Sequence, residues 1–260
     1  MTYIMKRMIS AIMLAILFAA PSFGWGREGH EVIAKIAENH LHPSVRKKVE
    51  KYLGGHSIVY YAKWMDDYRR TPEYIHTNRW HTAPVNAELR YDDSLLTSKG
   101  NAIYGLETSI TALENYKELS DSAVAVNIKY IVHIVGDMHC PSHIKYTTYD
   151  WDYDVVMKSG ARVTLHTAWD SSIIRACRIY SSTEWAEEID LMSRREIARI
   201  VSGTPRDWFH ESAVRCAVQF EWTSPGSKID QDVLNSAMPL IETQILYAGY
   251  RLAAILNHLF

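Results

Sequence analysis

Ile131-Val132-His133-Ile134-Val135-Gly136-Asp137-Met138-His139-Cys140-Pro141-Ser142-His143 sets three histidines and an aspartate in and just past one apolar run that stops at a proline. His133 and Asp137 stand four residues apart, so on a helix they share one face, one turn from each other. Ile131, Val132, Ile134 and Val135 around them are apolar, which sets that face in the interior rather than in water. Pro141 has no amide proton and ends the helix; His143 follows just past the stop. Gly136, inside the pair, leaves room for a close approach of backbone or ligand. Two readings remain open for the pair: a self-satisfied His–Asp contact, or two ligands of one metal ion.

Outward from this segment the chain reads as helix. The spacing predicts a helix over 121–139 and others over 27–41, 43–53 and 102–116. Val32, Ile33, Ile36, Ala37 and Leu41 form the apolar stripe of one; Ile103, Leu106, Ile110 and Leu113 form that of another. Thr204-Pro205 is an N-cap followed by proline at the first helical position, opening a helix that contains Phe209, Val214, Ala217 and Val218. A last helix spans 230–259. The expected fold class is therefore all-α. The one interruption is 154–165, where Asp154-Val155-Val156-Met157 and Arg162-Val163-Thr164-Leu165 flank Lys158-Ser159-Gly160-Ala161 and predict a small β-hairpin. Residues 91–99 carry no period and read as loop.

The His-x3-Asp spacing recurs in His166 and Asp170. Asp66, His81, His30 and Trp25 complete a series of nine candidate ligands running the length of the chain. Imidazole with carboxylate suits zinc better than calcium or magnesium. Nine donors are too many for one tetrahedral ion, so the expectation is several zinc ions and metal-assisted hydrolysis, of a phosphate ester in particular. Cys140 is a possible ligand by type but has no partner cysteine at zinc spacing. Cys177 and Cys216 offer no pairing that the sequence decides. His40, His42, His56, His76, His210 and His258 fit no ligand spacing and read as structural or surface residues; His139 reads as a support for a ligand.

Lys6 and Arg7, the apolar run 8–20, and Ser22-Phe23-Gly24 form a secretion leader, too short for a membrane anchor. Cleavage after Gly24 makes Trp25 the first residue of a single domain over 25–260, exported to the periplasm or secreted, with no membrane span. Two of the 28 basic residues leave with the leader against 30 acidic ones. A mildly acidic chain does not grip phosphate backbones with lysine and arginine alone, so bound cations must supply much of any such attraction. A freed α-amino group titrates near pH 8, at about 7.7–8.0, and can bind zinc together with its neighbouring carbonyl oxygen; packing of the indole is the plainer reading of Trp25.

Trp25-Gly26-x3-His30, Trp64-x-Asp66, Trp80-His81, His133-x2-Gly136-Asp137-x5-His143 and Leu165-His166-x2-Trp169-Asp170, in this order, resemble the S1/P1 nuclease family of secreted, zinc-dependent single-strand nucleases. The ending Ala248-Gly249-Tyr250-Arg251-Leu252-Ala253-x2-Leu256-Asn257 is similar as well, so the resemblance spans the chain after the leader. It implies the helical fold shared with zinc-dependent phospholipase C, and three zinc ions. Asp66, His81, His133 and Asp137 would hold one; the Trp25 amino nitrogen and carbonyl, His30 and the shared Asp137 a close neighbour; His143, His166 and Asp170 the third. It further implies a hydroxide between the paired ions, oriented by Asp66, attacking phosphorus in single-stranded DNA or RNA and in 3′-nucleotides. The third ion would stabilise the leaving 3′ oxygen, giving 5′-phosphates, and Arg69 would neutralise the phosphate. Asp67 falls outside this machinery. No protein partner is implied.

Two positions depart from the family pattern. Thr82 stands where the family carries an aromatic residue after the histidine, and Asp150-Trp151-Asp152-Tyr153-Asp154 replaces a Gly-Gly-Asn-Asp run. Tyr149, Trp151 or Tyr153 is expected either to stack on a base in compensation or to pack against the hairpin. Two alternatives are weighed. A phospholipase C places its first histidine much further from the N-terminal tryptophan and ends its ligand series on glutamate, unlike His30 and Asp170. A non-catalytic zinc- or nucleotide-binding protein would keep the ligands and lose turnover.

Overall fold

Helix α1 (Arg27–Asn39) turns Val32, Ile33, Ile36 and Ala37 wholly inward and carries Arg27 on the opposite, exposed side. The computed structural model describes residues 25–178 and 180–260; the leader expected over 1–24 lies outside the described residues. Helix α2 (Pro43–Tyr52) follows, then a short α3 (Trp64–Tyr68). Helix α4 (Ala102–Glu114) is capped by Asn101, whose side chain accepts from Tyr104 N–H. Helix α5 (Asp121–Asp137) starts on Ser120, which accepts from Ala123 N–H, and buries nearly everything from Tyr130 to Asp137. The long C-terminal helix α12 (Gln231–Leu259) is capped by Asp230. The α1–α12 and α4–α5 packings form the heart of one apolar core. A Cβ on Gly249 of α12 would stand 2.6 Å from Ile36 Cγ2 of α1, so the closeness of these two helices depends on that glycine.

Between α5 and α12 lie α6 (Leu165–Thr167), α7 (Ile173–Cys177), α8 (Ser182–Ile189), α9 (Arg194–Ile200), α10 (Pro205–Cys216) and α11 (Gln219–Trp222). Helix α10 begins as expected: Thr204 and Asp207 form a capping box and Pro205 opens the first turn. It ends at Cys216, so Ala217 and Val218, expected within it, lie past its last residue; its buried face is formed by Trp208, Phe209, Ala213 and Cys216, and Val214 stands 51% exposed. Helices α8 and α9 also start on capping boxes, Ser181 with Glu184 and Ser193 with Glu196. Arg251 ties this layer together: it donates to the Ile200 carbonyl at 3.0 Å, to His139 Nε2 at 2.8 Å and to Glu211.

The strands are few and short. β1 (Ala83–Val85) and β2 (Ile144–Tyr146) pair in parallel, Ala83 opposite Ile144. β3 (Asp154–Met157) and β4 (Arg162–Thr164) form the expected hairpin, with Val155 opposite Val163. The hairpin is not alone, because β5 (Lys228–Ile229) adds in parallel to β3; Leu165, expected at the end of the second strand, instead opens α6. Three free cysteines are present, Cys140 and Cys216 buried and Cys177 half-buried. Among the described residues no helix is long and apolar enough to cross a membrane.

Candidate metal centre

The β1–β2 pair is what sets two of the histidines. His81 precedes β1 and His143 precedes β2, so the parallel register brings their backbones side by side. His143 Nδ1 donates to the His81 carbonyl at 2.6 Å, which fixes the tautomer and leaves Nε2 facing inward. His133, one turn before the end of α5, is oriented the same way: Nδ1 donates to the Ala62 carbonyl at 2.9 Å, so Nε2 is turned to the centre. His30 comes from the first turn of α1 and stacks on His133, ring centroids 4.0 Å apart at 16°. A Cβ on Gly136 would meet His30 Nδ1 at 2.8 Å, so the close approach foreseen at this glycine is made by a candidate ligand.

Asp137 stands at the middle of the cluster, and its two oxygens face different neighbours. Oδ2 lies 2.9 Å from His81 Nδ1 and 3.2 Å from His133 Nε2. Those two nitrogens are 3.2 Å apart, and Asp66 Oδ1 is 3.6 and 3.8 Å from them. A tetrahedral zinc with ligands at 2.0–2.1 Å separates its donors by about 3.3 Å, and these separations cluster around that value. The other oxygen, Oδ1, lies 3.3 Å from His30 Nε2 and 3.2 Å from His143 Nδ1. Further along, His143 Nε2 is 3.8 Å from Asp170 Oδ1.

Electrostatics match the geometry. Burial, and then the charge of His133, bring His30 down to about 4. Burial lowers His81 as well. For His133 burial acts downward but is outweighed by Asp137 and Asp66, which hold it up to about 9. Burial likewise opposes the charge on Asp137, yet His133 and His143 keep its carboxyl well below the usual range. Several buried atoms of the cluster find no hydrogen-bond partner in the protein: both ring nitrogens of His30, His81 Nε2, His143 Nε2, Asp66 Oδ1 and Asp137 Oδ1. Buried polar atoms are normally satisfied, and so many unsatisfied donors of this type in one cluster fit metal ions. The groups His30–His133–Asp137, Asp66–His81–His133 and Cys140–His143–Asp170 each place their donors within 4.8 Å of one another and could each hold an ion.

The remaining candidates fall as follows. Trp25 is fully buried against Gly29, and the Gly26 amide donates to the Asp170 carbonyl at 2.7 Å, so the start of the described chain is docked on the third group. Asp170 sits in the wide helical turn Ala168–Ser172. His166 stacks beside His143, centroids 4.9 Å apart, and is held down to about 2 by burial, then by His143 and Lys145. The donors that close on His143 and Asp170 there include the Cys140 thiol, whose ionisation burial and Asp170 push up. Arg69, at the end of α3, is buried with Nε 3.8 Å from Asp66 Oδ1. Asp67 points away and pairs with Lys63 at 2.6 Å. His139 supports no ligand directly: Nδ1 donates to the Val135 carbonyl and Nε2 accepts from Arg251.

The centre opens into a cavity of about 500 Å³ whose wall includes His81, His143, His166, Arg69, Arg70, Arg79 and Lys145, with Asp152 its one carboxylate. Thr82 lines it, as does Trp151. Tyr149 lies flat on Phe220, centroids 4.4 Å apart, and Tyr153 spends its hydroxyl on Thr223. Cys140, Arg70, Arg79 and Lys145 were not singled out by spacing. Cys140 and Lys145 flank His143 and Arg70 follows Arg69, but that they face the site is set by the fold, and no periodic pattern carries that signal.

A centre of this kind, histidine and aspartate donors beneath a cationic cavity, suits hydrolysis of an anionic ester. The description that matches the chain is S1/P1 Nuclease, over residues 25–260. Endonuclease 2 of Arabidopsis thaliana is 25% identical over 96% of this chain and 95% of its own length. Nuclease S1 of Aspergillus oryzae is 26% identical, covering 96% of each chain. Nuclease P1 of Penicillium citrinum is 23% identical over 90% of this chain and 97% of its own. With the match covering everything after residue 24 and the ligand series falling inside it, the chain belongs to the S1/P1 nuclease family.

Proposed function

We propose that this family member is an exported phosphodiesterase that cleaves single-stranded DNA or RNA, and 3′-nucleotides, to 5′-phosphate products with three zinc ions. The observation that carries the reading is Asp137: one carboxylate whose two oxygens face two different sets of donors, directly below a cavity with four cationic side chains. Asp66, His81, His133 and Asp137 would hold the first ion, His30 and Asp137 with the Trp25 main chain the second, and His143, His166 and Asp170 the third. When bound, zinc supplies Lewis acidity and brings the pKa of a coordinated water from 15.7 to about 7.

The chain's own residues supply the rest. Asp66, 3.6 Å from His81 Nδ1, would orient the attacking group by accepting a hydrogen bond from it. Arg69, buried at the rim, faces the charge that grows on the non-bridging phosphate oxygens. Arg70 and Arg79 hold the strand at the mouth of the cavity. A cavity of about 500 Å³ admits an unpaired nucleotide; bases locked in a duplex cannot unstack to enter, which favours single strands. Removal of the leader would free the amino group of Trp25 for the second ion; in support, the adjoining Gly26 amide docks this end of the domain by donating to the Asp170 carbonyl at 2.7 Å, and activity would then depend on export.

The test is metal analysis of the purified protein with a panel of single-stranded and duplex DNA, RNA, 3′- and 5′-mononucleotides and phosphatidylcholine. Three zinc ions per chain, with 5′-phosphate ends from single strands, is the expected result. Release of choline phosphate alone, or zinc without any turnover, would overturn it.

A further inference from the structure

Lys145 lies on β2, two residues beyond His143, half-buried in the wall of the cavity. Its ammonium donates to the Ser142 carbonyl at 3.1 Å and stands 3.7 Å from the centre of the Trp151 ring. Among the described residues no carboxylate comes within ion-pair distance of it. Other basic side chains are matched: Arg251, more deeply buried, has Glu211, and Arg206 has Glu107 and Asp93. An ammonium has three N–H donors and no acceptor. One carbonyl and one ring face leave donors pointing at the cavity, where Arg69, Arg70 and Arg79 outnumber the carboxylate of Asp152, which acts on Lys145 without pairing with it. The wall around Lys145 thus carries a surplus of positive charge that suits an anion.

Trp151 explains how the ammonium stays in place. The sequence offered it as a platform for a base, but a cation already covers its ring. Trp151 also lines a small void together with Pro141, Ile144 and Phe220. Its aromatic face holds Lys145 by a cation–π contact.

We propose that Lys145, positioned by Trp151, binds a second, non-scissile phosphate of the substrate strand, on the nucleotide that carries the leaving oxygen beside His143 and His166. This deepens the nuclease reading and rests on it. The substrate class it selects is a strand with a phosphate on each side of that nucleotide, over an isolated diester.

The test compares kcat/KM for a thymidine dinucleotide with and without a 5′-phosphate. A charge-assisted hydrogen bond is worth about ten- to a hundredfold, so the wild-type protein should favour the 5′-phosphorylated form by at least about tenfold. Lys145→Met should bring the ratio near one, and Lys145→Arg should keep part of it. Trp151→Leu should lose the ratio while Trp151→Phe, which keeps an aromatic face, retains it. Circular dichroism and metal content matching the wild type establish that each variant is folded. A ratio unchanged in Lys145→Met overturns the proposal alone. Equal losses on both substrates also overturn it, because Lys145 would then serve the scissile phosphate. Failure of the wild-type protein to cleave either dinucleotide removes the nuclease reading and this proposal with it.

Discussion

Replacing Gly136 by alanine should damage the metal centre without touching a ligand. The new Cβ would stand 2.8 Å from His30 Nδ1 and 3.0 Å from its Cε1. Comfortable contacts begin at about 3.5 Å, so the ring must retreat by roughly half an ångström or more. It has nowhere easy to go: His30 is 1% exposed, stacks on His133 at 4.0 Å, and has Nε2 3.3 Å from Asp137 Oδ1. Metal–ligand distances tolerate only about 0.2 Å. The second ion should therefore bind about ten- to a hundredfold more weakly, the scale seen when ligand orientation is disturbed. The fold should survive. Overpacking costs about 1–3 kcal/mol, and alanine offsets up to about 1 kcal/mol of it in a helix. Elemental analysis after dialysis, a thermal melt and turnover of single-stranded DNA make the assay. One ion fewer per chain and reduced turnover, with the melting temperature within a few degrees of wild type, is expected. Wild-type metal content and turnover would refute the argument that Gly136 exists to admit His30.

Asp137→Asn should nearly abolish turnover and lower the metal content, since each carboxylate oxygen faces its own set of donors; full zinc with normal kcat would refute it. Gly249→Ala adds the same methyl group 2.6 Å from Ile36, between α1 and α12. It should lower stability by about 1–3 kcal/mol, read by urea melts, while metal content holds. One extra residue ahead of Trp25 should displace the amino group and cost one zinc per chain; elemental analysis showing no loss would remove that group from the ligand set. In the metal-free protein, burial and then Arg251 hold His139 down to about 3 against an ordinary 6.5. A depressed folded pKa means its contribution is fully present above about 6.5 and lost as pH falls towards 3, at about 1.4 kcal/mol per pH unit. Urea melts from pH 7 to 4 should therefore be less steep in pH for His139→Gln; equal slopes would refute the assignment.

The helical class was legible because α1, α4, α5 and α12 are long enough to show a period, and because Thr204-Pro205 marks the start of α10. The capping boxes at Ser181 and Ser193 were equally present in the sequence. The helices behind them run 8 and 7 residues, too few turns for an apolar stripe to declare itself. Where α10 ends was not legible either: Ala217 and Val218 continue its apolar character, yet the helix stops at Cys216. The donors of the first group were readable from chemistry and spacing. What orients them was not. The β1–β2 pair has three residues a side and no pattern to read, yet it sets His81 beside His143. Cys140 and Lys145 join the site only through that pairing and the fold around Asp170 and Trp151.

Asp137 shows why the legible and the hidden parts belong together. It ends α5, where the helix dipole disfavours a carboxylate by about 0.3–1 kcal/mol, and it is wholly buried, which disfavours the charge further. A residue that breaks two local rules persists only if something distant offsets both. His30 from α1, His81 before β1, His133 from its own helix and His143 before β2 all converge on it. Apart from His133, one turn back on the same helix, none of these reaches Asp137 until α1, α5 and the β1–β2 pair have closed on one another. The centre is therefore assembled by the same contacts that build the core, and ions bound there bind the folded chain and not the unfolded one. By mass action their affinity adds directly to stability, so in this chain the cost of burying Asp137 and the capacity to hold metal are one property of the fold.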